Sequence, residues 1–102
     1  MRLPLATFTT AALLGISQPA LAVTEIQWWH SMGGALGEWV NDLAKDFNAS
    51  QTQYRIVPTF KGSYDESMTA AIAAFRSGNA PHILQVFEVG TATMMASKGA
   101  IV

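Results

Sequence analysis

The chain has 102 residues, with six basic and seven acidic side chains and a formal net charge of -1. This length fits one domain or part of one. The near-neutral charge does not favour a nucleic-acid-binding protein, which normally carries a basic patch that neutralises phosphates. The absence of cysteine excludes disulfides, thiolate metal sites and a cysteine nucleophile.

The first residues have the pattern of a secretory signal peptide. Arg2 gives a positive start, Leu3–Ile16 is mostly apolar and uncharged, and Ala20-Leu21-Ala22 forms an A-x-A cleavage site. We therefore expect residues 1–22 to be a signal peptide that is cleaved before Val23. A transmembrane anchor is the alternative, but it requires about 20 apolar residues, and this apolar run is shorter.

Hydrophobic spacing in the remaining residues predicts three strands that alternate with three helices. In the first helix, apolar residues recur at i, i+3, i+4, i+7 and i+11, which marks one helical face. Those five residues are Leu36, Trp39, Val40, Leu43 and Phe47. The predicted strands are Val23–Trp29, Tyr54–Phe60 and Ile83–Val89, and the predicted helices are Ala35–Asn48, a helix that begins near Ser63, and Gly90–Lys98.

The second helix has clear start and stop signals. Ser63 and Glu66 have the S-x-x-E spacing of a capping box, in which the Ser63 hydroxyl accepts from the Glu66 amide and the Glu66 side chain reaches back to the Ser63 amide. Gly78 supplies a glycine stop, and Pro81 cannot continue a helix. The resulting β-α-β-α-β-α order predicts an α/β fold with parallel strands and right-handed crossovers.

Three predicted strand ends carry polar residues. Trp28–Gly34 offers aromatic, imidazole and hydroxyl groups, Lys61–Tyr64 combines a close-approach glycine with a helix N-terminus, and Gln85–Gly90 contains Glu88. Ligands of open α/β sheets bind beyond the C-terminal ends of the strands. The tyrosine hydroxyl of Tyr64 suits a phosphate oxygen, and the carboxylate of Glu88 suits polyol hydroxyls.

Each segment also has a purely structural interpretation. A tryptophan of the first segment could be a core residue and His30 could cap the turn, Tyr64 could be a surface residue of an ordinary capped turn, and Glu88 could be a solvated charge. For the first segment the structural interpretation is weighed above the functional one, and for the second the two are weighed equally. The expected position of all three segments at one edge of the sheet is a stronger signal than any one of them and suggests a ligand crevice.

No catalytic or cofactor site is predicted. Glu88 has no clear acidic partner for glycosidase chemistry, and His30 and His82 lack metal-ligand spacing. Neither a G-x-S-x-G nucleophile elbow nor a G-x-x-x-x-G-K-[ST] phosphate loop occurs. We therefore expect a ligand crevice with no catalytic residues, no metal and no cofactor.

Four runs of residues resemble a known family. They are Trp29–Met32, Ile56–Tyr64, Ala73–Pro81 and Ile83–Ser97. Together they are similar to extracellular solute-binding family 1, which includes maltose-binding proteins, and the last run is typical of its glycerol-phosphate branch. The abrupt end of the chain predicts a fragment of a longer protein, with residues 23–102 forming a partial N-terminal lobe of the periplasmic binding protein-like fold.

The resemblance implies a two-lobed periplasmic protein, monomeric at full length, that closes on its ligand without catalysis or a cofactor. It implies sn-glycerol-3-phosphate or a glycerophosphodiester as ligand, and the membrane permease subunits of an ABC importer as partners. It further implies that Tyr64 holds the phosphate and Glu88 the glycerol hydroxyls, with Trp29, His30 and Ser31 in the matching front-edge loop. The basic group expected to pair with the phosphate would belong to the second lobe.

Three alternatives remain open at this point. The first is a sugar- or oligosaccharide-binding protein of the same family. The second is a periplasmic hydrolase such as a phosphodiesterase or glycosidase, for which the sequence shows no paired carboxylate, metal cluster or activated nucleophile. The third is a structural or interaction module, which the polar groups at the strand ends disfavour.

Overall fold

Three strands and three helices alternate along the chain. The computed structural model describes Gly15 and residues 21–102. The strands are β1 (Thr24–His30), β2 (Tyr54–Phe60) and β3 (Ile83–Leu84), and the helices are α1 (Gly34–Ser50), α2 (Tyr64–Arg76) and α3 (Gly90–Ala96). The predicted α/β fold is confirmed. Apart from Gly15, Leu21 and Ala22, the predicted signal peptide lies outside the described residues.

The strands form one parallel sheet in the order β2-β1-β3. The register pairs His30 with Phe60 and Trp29 with Leu84. All three strands therefore end at the same side of the sheet, which we call the C-terminal edge. After β2 the chain crosses β1 to reach β3, so the direction of strand addition reverses between β1 and β3. Ligand crevices of open α/β sheets form at such reversals.

The third strand is much shorter than the predicted Ile83–Val89. The Gln85 amide donates to the Trp29 carbonyl at 2.9 Å, and β1 then ends. The next backbone donor on this side, the Ser31 amide in the loop after β1, donates to the Gln85 side-chain oxygen at 2.9 Å. Since no strand remains to pair with, Glu88 lies in a turn before α3 and not in a strand.

A histidine continues the sheet pairing at the start of β3. The His82 amide donates to the Gln27 carbonyl at 3.0 Å, and His82 Nδ1 accepts from the Gln27 amide at 2.9 Å. One residue thus satisfies both backbone groups of Gln27, with an imidazole nitrogen in place of a strand carbonyl. This pair fixes the register in which β3 joins β1.

The capping signals of α2 are realised with one difference. Ser63 Oγ accepts from the Glu66 amide at 3.2 Å, as predicted. The Glu66 carboxylate receives the Ser63 hydroxyl at 3.2 Å, whereas the capping box predicts a bond to the Ser63 amide. At the other end, Gly78 has φ of 78°, a left-handed conformation that favours glycine and ends the helix.

Few side chains are fully buried. The buried apolar residues are Val40 and Ala44 of α1, Ala71 of α2 and Met94 of α3. Of the predicted apolar face of α1, only Val40 is buried, and Trp39 is 60% exposed. No helix among the described residues has both the length and the apolar character needed to cross a membrane.

Candidate functional site

Two hydrogen bonds tie the loops at the C-terminal edge to each other. The Lys61 amide, just after β2, donates to the His30 carbonyl at 2.9 Å. On the other side of β1, the Ser31 amide donates to Gln85 Oε1 at 2.9 Å. The segments that follow β1, β2 and β3 are therefore neighbours, as expected for parallel strands that end at one edge.

The structure brings Tyr64 and the segment that carries Glu88 together. Tyr64 is the first residue of α2, and its ring lies against Phe87 with 5.4 Å between the centroids. Glu88 directly follows Phe87, and both Tyr64 and Glu88 are exposed. An aromatic contact between the β2 and β3 segments thus places both predicted ligand residues at the C-terminal edge.

Phe87 is held in this position by a close approach of α3. A Cβ atom on Gly90, the first residue of α3, would lie 3.0 Å from Phe87 Cε1 and 3.1 Å from Met68 Sδ. A side chain at position 90 would therefore require Phe87 or Met68 to shift by a few tenths of an ångström. Sequence reasoning missed the positioning role of Phe87 and Gly90, because the pattern shows a glycine before a helix but not what packs against it.

Trp29, His30 and Ser31 do not form one patch. The sequence predicts that β1 ends at Trp29, but β1 includes His30. Successive strand side chains point to opposite faces, so Trp29 and His30 lie on different faces of the sheet. Ser31 is the first of the three to lie in the loop.

His30 is a packed residue, with only 3% of its surface exposed. Its ring lies 6.0 Å from Trp28 and 6.1 Å from Phe60 between centroids. Burial lowers the pKa of His30, because desolvation disfavours the charged imidazolium. Its Nδ1 accepts from the Met32 amide at 3.2 Å. A neutral imidazole therefore anchors the loop after β1 from within the sheet.

Ser31 lies where β1 and β3 diverge. Its amide is bound by Gln85, and its hydroxyl is shielded from solvent without a hydrogen-bond partner among the described residues. Buried hydroxyls usually have a partner. This hydroxyl is therefore a candidate hydrogen-bonding group at the point where the strand order reverses.

The N-terminus of α2 is only partly available to an anion. Ser63 Oγ accepts from the Glu66 amide, as the capping box predicts, and Asp65 and Glu66 add two negative charges to the first turn. These charges offset the positive end of the helix dipole. The Nζ of Lys61 lies 3.9 Å from the ring centroid of Trp29 and brings positive charge to the edge.

Two negative observations limit the chemistry. Within the residues that the structure describes, no group of three histidine or acidic side chains could hold a metal ion. An apolar groove of about 520 Å³ lies between α2, β3 and α3, and none of the five predicted ligand residues lines it. The candidate site is therefore an open polar edge that is separate from this groove.

The topology is that of an α/β fold with parallel strands, a class in which ligands bind at the loops after the strands. No protein-family model matches the chain. Three curated proteins named sn-glycerol-3-phosphate-binding periplasmic protein UgpB are similar to it. The relative from Yersinia enterocolitica is 64% identical over 88 residues, which are 86% of this chain and 20% of that protein.

The other two relatives cover slightly more of the chain. The relative from Brucella suis is 54% identical over 99 residues, 92% of this chain and 23% of that protein. The relative from Escherichia coli O1:K1 is 58% identical over 94 residues, 89% of this chain and 22% of that protein. The chain thus spans about a fifth of the length of these relatives. The predicted resemblance to periplasmic sn-glycerol-3-phosphate-binding proteins is confirmed.

Proposed function

We propose that this chain belongs to the periplasmic substrate-binding component of an ABC transporter that imports sn-glycerol-3-phosphate, with glycerophosphodiesters as a second ligand class. The Tyr64–Phe87 contact carries this proposal, because it joins the segments of both predicted ligand residues at one edge. The names of the similar proteins support the proposed ligand and the proposed compartment. Binding without catalysis agrees with the hydroxyl, carboxylate and aromatic groups at this edge.

In this proposal each site residue has a distinct role. Tyr64 donates its hydroxyl to a phosphate oxygen, and Glu88 accepts hydrogen bonds from the glycerol hydroxyls. Trp29 and Ser31 contribute an aromatic surface and a hydroxyl beside them. His30 acts from the sheet by fixing the loop through the Met32 amide.

The remaining steps of transport follow from this assignment. Residues 1–22 direct export to the periplasm and are removed, and residues 23–102 form one portion of a ligand-binding lobe. The loaded protein, a monomer, delivers its ligand to the membrane permease subunits of the importer. It uses no cofactor.

The proposal is tested in a chimera. The matched 88-residue segment of the Yersinia enterocolitica relative is replaced by the corresponding segment of this chain, and binding of sn-glycerol-3-phosphate is measured by calorimetry. We expect Tyr64→Phe to weaken binding by roughly two- to tenfold and Glu88→Ala by roughly 10- to 100-fold, from the usual strengths of neutral and charged hydrogen bonds.

Matched controls lie away from the C-terminal edge. Tyr54 begins β2 and Glu25 lies near the start of β1, and both are exposed, so Tyr54→Phe and Glu25→Ala should leave affinity unchanged. Unchanged affinity in both site variants would reject the residue assignment. Binding of maltose but not of sn-glycerol-3-phosphate would move the protein to the sugar-binding relatives, and hydrolysis of a glycerophosphodiester by the purified chimera would indicate an enzyme.

A further inference from the structure

Lys61 is held at the C-terminal edge by its backbone and its side chain. Its amide donates to the last carbonyl of β1, that of His30, at 2.9 Å. Its ammonium lies over the Trp29 ring, with Nζ 3.9 Å from the centroid, and the residue is half-buried. The side chain therefore spans the β2–β1 boundary and presents its charge beside the loop that leads to Tyr64.

Lys61 is the one basic residue at this edge within residues 21–102. Arg55 lies at the opposite edge, near the start of β2, where it pairs with Glu25 at 3.9 Å. Lys45 lies in the C-terminal half of α1, and Arg76 is the last residue of α2. The remaining basic residue, Lys98, follows α3. Since these helices run away from the C-terminal edge, none of these charges is close to it.

A cation beside Tyr64 would favour an anion bound there. Ser63 already accepts from one amide of the first turn of α2, and Asp65 and Glu66 make this turn negative. These two carboxylates repel a phosphate, and the helix dipole alone offers at most about half an elementary charge against them. A full positive charge two residues before the cap offsets part of this repulsion and gives a phosphate a cation to pair with.

We propose that Lys61 is a phosphate-binding residue of this edge and favours a dianionic phosphomonoester over a monoanionic phosphodiester. This inference rests on the proposed function and narrows its ligand class. A charge-assisted hydrogen bond to phosphate is stronger than a partly exposed cation–π contact, so the ammonium moves from Trp29 to the phosphate when ligand binds. Its attraction is greater for the monoester because Coulomb energy scales with ligand charge.

The test uses the chimera described above with two Lys61 variants. Lys61→Met keeps the alkyl contact with Trp29 and removes the charge, whereas Lys61→Arg keeps the charge. We expect Lys61→Met to weaken sn-glycerol-3-phosphate binding by roughly 10- to 100-fold and to reduce its salt dependence. The loss for glycerophosphocholine should be smaller, and Lys61→Arg should bind within about fivefold of the unsubstituted chimera. Lys45→Met is the matched control and should bind normally.

The outcomes separate this inference from the proposed function. If the unsubstituted chimera binds and Lys61→Met binds equally well, or if Lys61→Arg loses as much affinity as Lys61→Met, the Lys61 inference is overturned and the proposed function stands. If the unsubstituted chimera does not bind sn-glycerol-3-phosphate, both are overturned. A measurement on the unsubstituted chimera tests the inference even if the Lys61 variants misfold. The NMR signal of Lys61 Cε should shift when sn-glycerol-3-phosphate is added and should not shift with glycerol. An unchanged signal when sn-glycerol-3-phosphate binds would contradict the inference.

Discussion

Single residues at the C-terminal edge divide into those that present polar atoms and those that hold the edge in place. His30 belongs to the second group, because it is buried and its Nδ1 accepts from the Met32 amide. Protonation of Nδ1 would remove this acceptor and place a charge among aromatic rings. The pKa of His30 is lowered from 6.5 by desolvation, so the folded chain binds this proton less readily than the unfolded chain.

The lowered pKa of His30 determines how the stability of the folded chain depends on pH. The neutral imidazole contributes stability that is fully present above the unfolded pKa of about 6.5 and is lost as pH falls through the lower folded pKa. We expect the free energy of unfolding, measured by urea titration of tryptophan fluorescence, to be level from pH 8 to 7 and to fall towards pH 5. The loss is about 1.4 kcal/mol for each unit by which the pKa is lowered.

A variant isolates His30 from the other titrating groups. His30→Asn keeps a side-chain acceptor for the Met32 amide but does not titrate. The variant should therefore be less stable at pH 7.5 through lost packing, yet show a shallower decline in acid than the unsubstituted chain. Equal slopes for the two chains between pH 7 and 5 would contradict the role of His30.

Residue chemistry at the edge was only partly predictable. Tyr64 could be placed there because the end of β2 was located from sequence and parallel strands end together. Glu88 was expected at the same edge, but it lies in a turn after a third strand that is much shorter than predicted. The role proposed for Lys61 was not predicted from sequence, because it depends on the contact of its ammonium with the Trp29 ring and on the distance of the other basic residues from this edge. His30 looked like a loop residue since a shift of one position in the end of a strand decides between burial and exposure.

Among the secondary-structure elements, α2 determines the position of Tyr64, which is its first residue. Ser63→Ala removes the hydroxyl that accepts from the Glu66 amide and should lower the free energy of unfolding by about 1 kcal/mol, the usual value for a lost N-cap. Thr69→Ala, an exposed change in the same helix, should be neutral or slightly stabilising. Urea unfolding at pH 7.5 measures both, and equal stability of the two variants would show that this cap contributes little.

The contact of α3 with Phe87 gives a second prediction. A methyl group at Gly90 would meet Phe87 at 3.0 Å and Met68 at 3.1 Å, so Gly90→Ala should destabilise the chain by about 1–3 kcal/mol through overpacking. It should also weaken ligand binding by the chimera, because Phe87 supports Tyr64.

Gly33→Ala is the control for this prediction. Its Cβ would come no closer than 3.9 Å to the Phe60 ring, an ordinary contact, so its effect should stay within the smaller loss expected from alanine at an N-cap. Normal affinity and stability of Gly90→Ala would show that α3 does not hold Phe87.

The ends of strands and helices were predicted correctly where hydrophobic spacing and capping residues indicated the same boundary. The predicted bounds of β2 are those observed, Tyr54–Phe60, and α2 begins at its serine cap. The third strand could not be predicted in full, because Ile83–Val89 has the composition of a strand and only the end of β1 stops its pairing. A strand forms only where another strand pairs with it, and the sequence of the first strand does not give the length of the second.

For the whole molecule, sequence patterns predicted parallel strands but not their order. The addition of β3 beside β1 depends on long-range contacts, such as the two bonds between His82 and Gln27. Periodicity likewise shows which residues share a helix face, without showing whether another segment covers it. On α1 the predicted apolar face is exposed at Leu36, Trp39, Leu43 and Phe47.

This exposed face leads to the last prediction. Contiguous exposed apolar patches on monomeric proteins are limited in size, and the α1 face has two residues that are about 60% exposed, Leu36 at 59% and Trp39 at 60%. We expect residues 23–102, purified alone, to self-associate at micromolar concentrations in sedimentation velocity. Trp39→Glu should weaken this association by at least about tenfold, since it places a charge where an aromatic ring would be buried.

The same substitution in the chimera shows what α1 contacts in a complete protein. If the additional length of the relative covers this face, Trp39→Glu should destabilise the chimera by about 3 kcal/mol or more in thermal or urea unfolding, because an unpaired charge would then be buried. Asp42→Asn, on the exposed side of the same helix, should change neither association nor stability. A monodisperse unsubstituted chain at high concentration, together with a chimera that tolerates Trp39→Glu, would show that the α1 face remains in contact with water.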